Sequence, residues 1–390
     1  MAEMTSRGRV LAALSHREPD RVPLDVGGGA STGIVVEGYE KLKRYLGIAG
    51  ETQELNRTFR VARLDERVMQ CLGSDCYPLG LRPPSRWRPP PSQPGTFTDI
   101  WGVTWRQTFY GDGCYYWEMA RHPLAEASVE DLENYPWPDP NDPGFTAGLA
   151  EEAGALYEGT SYAIMADSGF KSFWEQAYML RGLAQMMMDL VLNPQFVSAL
   201  LAKLLEITMA VNARFLDAVG PYIQVFRVTD DLATQKGPIM SPQTFRTFFK
   251  PVYKKYFGFV KSKTEAKLFF HSCGNVTALI EDLIEVGVDA LNPIQVSAMG
   301  DTRELKAKYG DRIAFWGGID TQHILPHGSV EDVRTEVRRR IRDLAPGGGY
   351  VAAAVHNIQP DVPPENIIAM AEAIRKYGIY PLMPSHQGPR

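Results

Sequence analysis

The sequence predicts an α/β chain folded as a (β/α)8 TIM barrel, with an aromatic- and proline-rich insertion in its N-terminal part. Three observations carry that expectation. From Tyr162 onward, short β-type runs alternate with helical stretches, the pattern of parallel strands joined by crossover helices. Six runs lie there, a seventh is Val22 to Val26, and one more is expected before residue 160. That count favours a closed barrel over an open doubly wound sheet. Chemically active residues also gather where the runs end, as they do around a barrel mouth. The chain reads as one domain, 1–390, with 71–143 as an insertion or lid.

Each element can be justified in turn. Thr5 to His16 reads as a short amphipathic helix, and Pro19-Asp20-Arg21-Val22-Pro23 leads into the first strand. Gly27-Gly28-Gly29 closes that strand without the G-x-G-x-x-G spacing of a phosphate cradle, so it reads as close backbone approach at the barrel mouth. Between Cys71 and Pro143, proline and aromatic residues dominate, including Pro89-Pro90-Pro91, Trp87, Trp101, Trp105, Trp117 and Trp137. The runs Val103 to Tyr110 and Tyr115 to Met119 flank Gly111-Asp112-Gly113, which predicts an antiparallel hairpin. The later strands are Tyr162 to Met165, Tyr222 to Val228, Lys267 to Phe270, Val288 to Leu291, Ile313 to Trp316 and Tyr350 to Val355. The helices between and after them include Ser172 to Leu192, Pro194 to Val219, Pro242 to Lys261, Val276 to Val286, Thr302 to Tyr309, Ser329 to Leu344 and Pro364 to Lys376.

Composition excludes several function classes. A net charge of -5 and a pI near 5.9 argue against a nucleic-acid binder. The triplet Arg338-Arg339-Arg340 falls in a helix and reads as a solvated face. No apolar run is read as approaching the roughly 20 residues that span a bilayer. Val10 to Leu14 is too short for a signal-peptide core. Cys71, Cys76, Cys114 and Cys273 form no paired framework, which points to a reducing cytoplasm.

The strand exits carry the chemistry. In order they present Asp25, Asp167, Asp230-Asp231, His271 with Cys273, Asn292 with Gln295, Asp320, and His356-Asn357. Alternate residues on a strand share a side, so one cation could touch both His271 and Cys273. With His356 they make a three-ligand zinc set that leaves a fourth position open, as in catalytic sites. The competing reading makes His356 a general acid or hydrogen-bond donor and Cys273 a packing residue. Asp230 and Asp231 could form an acid/base pair, or Asp231 could cap a turn. Asp167, Asn292, Gln295 and Asp320 are candidate cofactor-binding positions on the same rim. Trp101, Trp105, Tyr115, Tyr116 and Trp117 either cover a planar ligand, dock a partner, or form the insertion's own core.

These motifs resemble those of the uroporphyrinogen decarboxylase superfamily, which includes zinc- and cobalamin-dependent methyltransferases. The resemblance rests on Arg7 to Leu14, Glu18 to Pro23, Ser241-Pro242 through Pro251, His271-Ser272-Cys273-Gly274, Trp316 to Asp320 and Pro363 to Asn366. It covers nearly the whole chain and implies a TIM barrel with its cavity at the strand C-termini. True decarboxylases of this kind carry an N-terminal M-R-Q-A-G-R-Y segment whose arginines hold substrate carboxylates. Here the corresponding Leu24 to Gly29 has no Arg. His271 and Cys273 match the H-x-C-G of the methyltransferase branch, and His356 stands where that branch has a second Cys. The resemblance therefore implies a corrinoid-dependent methyltransferase. It would move a methyl group between a small O-, N- or S-methyl compound and cobalamin or a corrinoid protein, with zinc as cofactor. No D-x-H-x-x-G corrinoid segment occurs in the chain, so the corrinoid module would come from a partner. A homodimer is one assembly this reading admits. The alternatives are a decarboxylase of a tetrapyrrole or smaller acid, and a tetrapyrrole-binding protein.

Overall fold

A computed structural model describes residues 3–110 and 114–382. Seven strands form one parallel sheet in the order Tyr350–Ala354, Ala314–Ile319, Ala290–Asn292, Lys267–His271, Val225–Thr229, Ala163–Asp167, Cys76–Gly80. Every neighbour in the sheet is a neighbour in sequence among these strands, with helices crossing between them. The sheet is curled, consistent with a TIM-like barrel. Register places His271 between Thr229 on one side and Asn292 on the other.

Two expectations need correction. Val22 to Val26 is not a full strand: it makes one isolated parallel bridge, Leu24 with Ala352. Pro23 has no N–H to give, which limits the ladder. The segment still joins the two sheet edges, because Asp25 N–H donates to Ala352 C=O at 2.9 Å and Asp75 N–H to Leu24 C=O at 2.7 Å. The missing strand is Cys76–Gly80. It lies inside the stretch 71–143 read as insertion, so the start of that stretch belongs to the parallel sheet. Farther along, Thr96–Thr98, Thr104–Phe109 and Tyr115–Arg121 form a separate three-stranded antiparallel sheet. The tip expected at Gly111-Asp112-Gly113 lies outside the described residues.

The bore of the sheet is filled by Cys76, Ala163, Met165, Val225, Phe269, Ala290, Trp316, Val351 and Ala353. Helix Ser6–Leu14 packs into the same cluster through Val10, Ala13 and Leu14. Its Thr5 side chain accepts the Gly8 N–H at the N-terminus. Buried Arg9 fixes it, at 2.7 Å from Asp20 and 2.6 Å from Asp75.

The long helix Pro194–Val219 begins as its sequence prescribes, with Asn193 accepting the Phe196 N–H and Pro194 in the first turn. By length and composition it is apolar enough to cross a membrane, contrary to the expectation that no run approached that length. Over half of its apolar window is buried within the fold, where it packs on Lys250–Lys263 and Leu149–Gly159. The expected helix Ser172 to Leu192 breaks at Gly182, whose φ of +89° no helical residue adopts, into Phe173–Arg181 and Leu183–Leu192.

Candidate active site

The period of two along each strand selects which side chains reach the mouth. Phe269 fills the bore, so His271 stands above it. Val225 fills the bore, so Arg227 and Thr229 follow. Met165 leads in the same way to Asp167, and Ala290 to Asn292. The loop after His271 then carries Cys273 back over the ring.

His271, Cys273 and His356 offer one ligand atom each, all within 4.8 Å of one another. Cys273 Sγ lies 3.3 Å from His271 Nε2, and the two imidazole centroids are 5.7 Å apart. The orientation of each ring is set from behind. His271 Nδ1 bonds Asn292 Oδ1 at 2.5 Å, and the Asn292 amide donates to Trp316 C=O at 3.1 Å. Because the amide nitrogen is used there, Asn292 Oδ1 must accept, so His271 carries its proton on Nδ1. His356 Nδ1 bonds Asn357 Oδ1, which also accepts from Gln359 at 2.9 Å. Both Nε2 lone pairs are thereby left free. Such backing is the arrangement found behind metal-bound histidines. Burial pushes both imidazoles below the ordinary histidine value, with Asp231 opposing. Each ring is therefore neutral and able to coordinate. Burial, then Asp231, pushes the Cys273 thiol up. A cation would be needed to hold that thiol as thiolate.

The paired aspartates have different positions. Asp231 Oδ1 accepts the Cys273 N–H at 2.8 Å and lies 3.8 Å from His271 Nε2. Burial works to raise its carboxyl, but His271 and then Lys171 outweigh this and hold it below the usual range. Asp230 is fully buried and turned elsewhere. It accepts the Trp174 N–H at 2.8 Å and the Glu175 N–H at 2.7 Å, and Tyr253 Oη donates to it. It sits as the anion at the start of helix Phe173–Arg181. The expected pair on one rim is thus one carboxylate at the ligand cluster and one in a helix start.

A cavity of about 280 Å³ opens beside the cluster, lined by His271, His356, Asp231, Arg227, Lys171, Asp167 and the aromatic wall of Phe59, Trp101, Trp105 and Phe170. Of the four expected cofactor positions, only Asp167 lines it, ion-paired to Arg227. Asn292 acts one layer back, on His271. Gln295 Oε1 accepts the Gly274 N–H at 2.7 Å and so holds the loop that carries Cys273. Asp320 caps its own turn through the Gln322 and His323 N–H groups, away from the cavity. Sequence reasoning missed Arg227, Lys171 and Glu175. Lys171 Nζ lies 2.8 Å from Glu175, whose other oxygen accepts the Asp231 N–H. Arg227 had a signal: a cation inside the apolar run Val225-Phe226-Arg227-Val228 needs a partner or a task.

The comparisons agree with this geometry. A solved methyltransferase from Methanosarcina mazei superposes with a TM-score of 0.65 over 96% of this chain and 99% of that one, at 21% identity, a likeness of fold. The methylcobamide:CoM methyltransferase MtaA of Methanosarcina barkeri is 31% identical over 153 residues, 39% of this chain and 42% of that relative. The uroporphyrinogen decarboxylase of Thioalkalivibrio sulfidiphilus is 32% identical over 102 residues, 26% of this chain and 28% of that relative. The chain thus spans less than half the length of these two relatives. The decarboxylase of Pseudomonas fluorescens is covered further, 74% of its length and 68% of this chain, at 27% identity. The uroporphyrinogen decarboxylase (URO-D) family pattern matches residues 124–377, well over half of the sequence, and the chain belongs to that family.

Proposed function

We propose that this protein is a corrinoid-dependent methyltransferase that moves a methyl group between a small methylated compound and cobalamin or a corrinoid protein, with zinc at His271, Cys273 and His356. The observation that carries the reading is the cluster itself: two neutral imidazoles with free Nε2 atoms and one thiol, all within 4.8 Å. That donor set fits zinc, which takes nitrogen and sulfur ligands and in catalytic sites keeps one position for substrate. When bound there, zinc acts as a Lewis acid that lowers the pKa of a thiol or polarises an ether oxygen.

The chain's own residues do the rest. Asn292 and Asn357 fix the ring tautomers. Asp231, held ionised beside the cluster, is the group that accepts a proton from a substrate thiol or hydroxyl at its Oδ atoms. Lys171 and Glu175 hold Asp231 in place from the other side. Trp101 and Trp105 cover the cavity and exclude water, which strengthens each charge interaction inside it. The similarity to MtaA over two fifths of its length supports this branch.

The decarboxylase reading draws on the longer alignment to the Pseudomonas enzyme. An octacarboxylate needs several unpaired cations. Among the described residues, the two lysine and arginine side chains of the cavity both face carboxylates already. The geometry therefore favours methyl transfer. The test is spectroscopic. Co(I) cobalamin or a corrinoid protein, mixed with the protein and methoxylated, methylamine or methylthiol compounds, should convert to its methyl form, and Cys273→Ala should abolish the conversion. No spectral change with any donor or acceptor would sink the proposal.

A further inference from the structure

Resting on the methyl-transfer reading, the geometry points to an uncharged aryl methyl ether as the methyl-bearing substrate of this cavity. Two independent features carry the assignment. The first is the wall. Phe59, Trp101, Trp105 and Phe170 all line the same cavity of about 280 Å³. Trp101 and Phe170 meet edge to face at 5.3 Å, and the Trp105 indole N–H is fixed to Asp99 at 2.8 Å. The rings are held before any ligand arrives. Rigid aromatic faces offer large contact area at little entropic cost, and they select planar rings over small aliphatic donors.

The second feature is charge. Lys171 Nζ is bonded to both oxygens of Glu175, at 2.8 and 3.1 Å. Arg227 is paired with Asp167 and also donates to Ser31. Among the described residues of the cavity, no lysine or arginine is left to meet a substrate carboxylate. Burying an unpaired anion there would be costly. A permanent cation fits the wall, but it has no lone pair to present to the ligand cluster. A neutral ring bearing a methoxy group satisfies both faces, its oxygen toward His271 and His356.

The reaction balances as follows. The O–CH3 bond breaks and its electron pair stays on the phenolic oxygen, which takes up a proton. The methyl group bonds to a Co(I) corrinoid, whose own electron pair forms the new carbon–cobalt bond. An aryl methyl ether, a Co(I) corrinoid and a proton give a phenol and a methyl-Co(III) corrinoid.

The experiment is calorimetric titration of the full chain with 2-methoxyphenol and with its carboxylated analogue 4-hydroxy-3-methoxybenzoate, followed by assay of the same compounds with Co(I) cobalamin. The neutral ether should bind at least about tenfold more tightly than the acid, the scale of one unpaired polar group. Trp105→Ala should weaken it about tenfold, the upper range of an aromatic contact. Phe59→Leu, at a half-buried position, should weaken it in the same direction with the circular dichroism spectrum unchanged. Catechol should appear alongside methylated corrinoid. Equal or tighter binding of the acid would overturn the assignment. So would methyl transfer from methanol or a thioether with no binding of 2-methoxyphenol, an outcome that leaves the methyltransferase reading standing. Binding of 2-methoxyphenol with no corrinoid methylation from any donor would overturn both.

Discussion

At the scale of single residues, the decisive contrast is between side chains that touch the cavity and those that hold them. Asp230 and Asp231 are adjacent in sequence but separate in role. Asn at 230 keeps one oxygen for three donors and sets an amide against a helix N-terminus. Asp230→Asn should therefore lower stability by about 1–3 kcal/mol, the cost of leaving buried donors unmet, seen as a drop in Tm. Asp231→Asn should leave Tm close to that of the parent and cut the rate by about 10²-fold or more, the usual scale for a lost acid or base. Full activity in Asp231→Asn would remove it from the mechanism. Asn357→Ala should weaken zinc binding by roughly 10–100-fold, as loss of a backing residue does, measured by competition with a chromophoric chelator. The ligands were legible because a strand exit has no packing need for His271 and Cys273. Arg227, Lys171 and Glu175 were not. Their importance comes from which neighbours the barrel brings to them, 60 residues away in the case of Arg227 and Asp167.

Secondary-structure elements show where sequence patterns succeed and fail. Pro194–Val219 and Thr302–Tyr309 match their expected bounds, because capping residues and the 3.6 period mark both ends. Cys76–Gly80 was hidden. Its Pro78 and Gly80 read as turn material, and a proline is tolerated there because the strand lies at the end of the seven-strand order. Val22 to Val26 reads as a strand because it is apolar, yet it makes a single bridge. The helix that plugs the bore depends on Arg9 and Asp20. Burial works to raise the Asp20 carboxyl, but Arg9 and the Met4 N–H overcome this and hold it at about 2. That lies below the unfolded value of about 3.9. The pair therefore stabilises the fold above about pH 4, and its contribution is lost as pH falls through about 2. Asp20→Asn should lower Tm at pH 7 and show a smaller further loss between pH 4 and 2 than the parent. Equal acid sensitivity in the two proteins would place the acid-labile step elsewhere.

For the whole molecule, the barrel was legible from strand–helix alternation, and the family from motifs spread along the chain. The cavity was not. It is built by joining the sheet's mouth to the antiparallel sheet, a contact between segments distant in sequence. Tyr116 Oη donates to Gln359, which bonds Asn357, which in turn backs His356. The roof of the cavity and its ligand cluster are thus one connected network. Arg21 is spent on Asp75, and Leu24 to Gly29 supply no arginine. Incubation with uroporphyrinogen should therefore yield no coproporphyrinogen at enzymatic rates, as followed by chromatography of the oxidised porphyrins. Its appearance would return the chain to the decarboxylase branch.

The central claim is that His271, Cys273 and His356 bind one metal. Elemental analysis of the gently purified protein tests it most directly. About one zinc per chain is expected from a single three-ligand site, with most of it lost in Cys273→Ala. A protein that carries no zinc, and that takes up none on reconstitution, would contradict it.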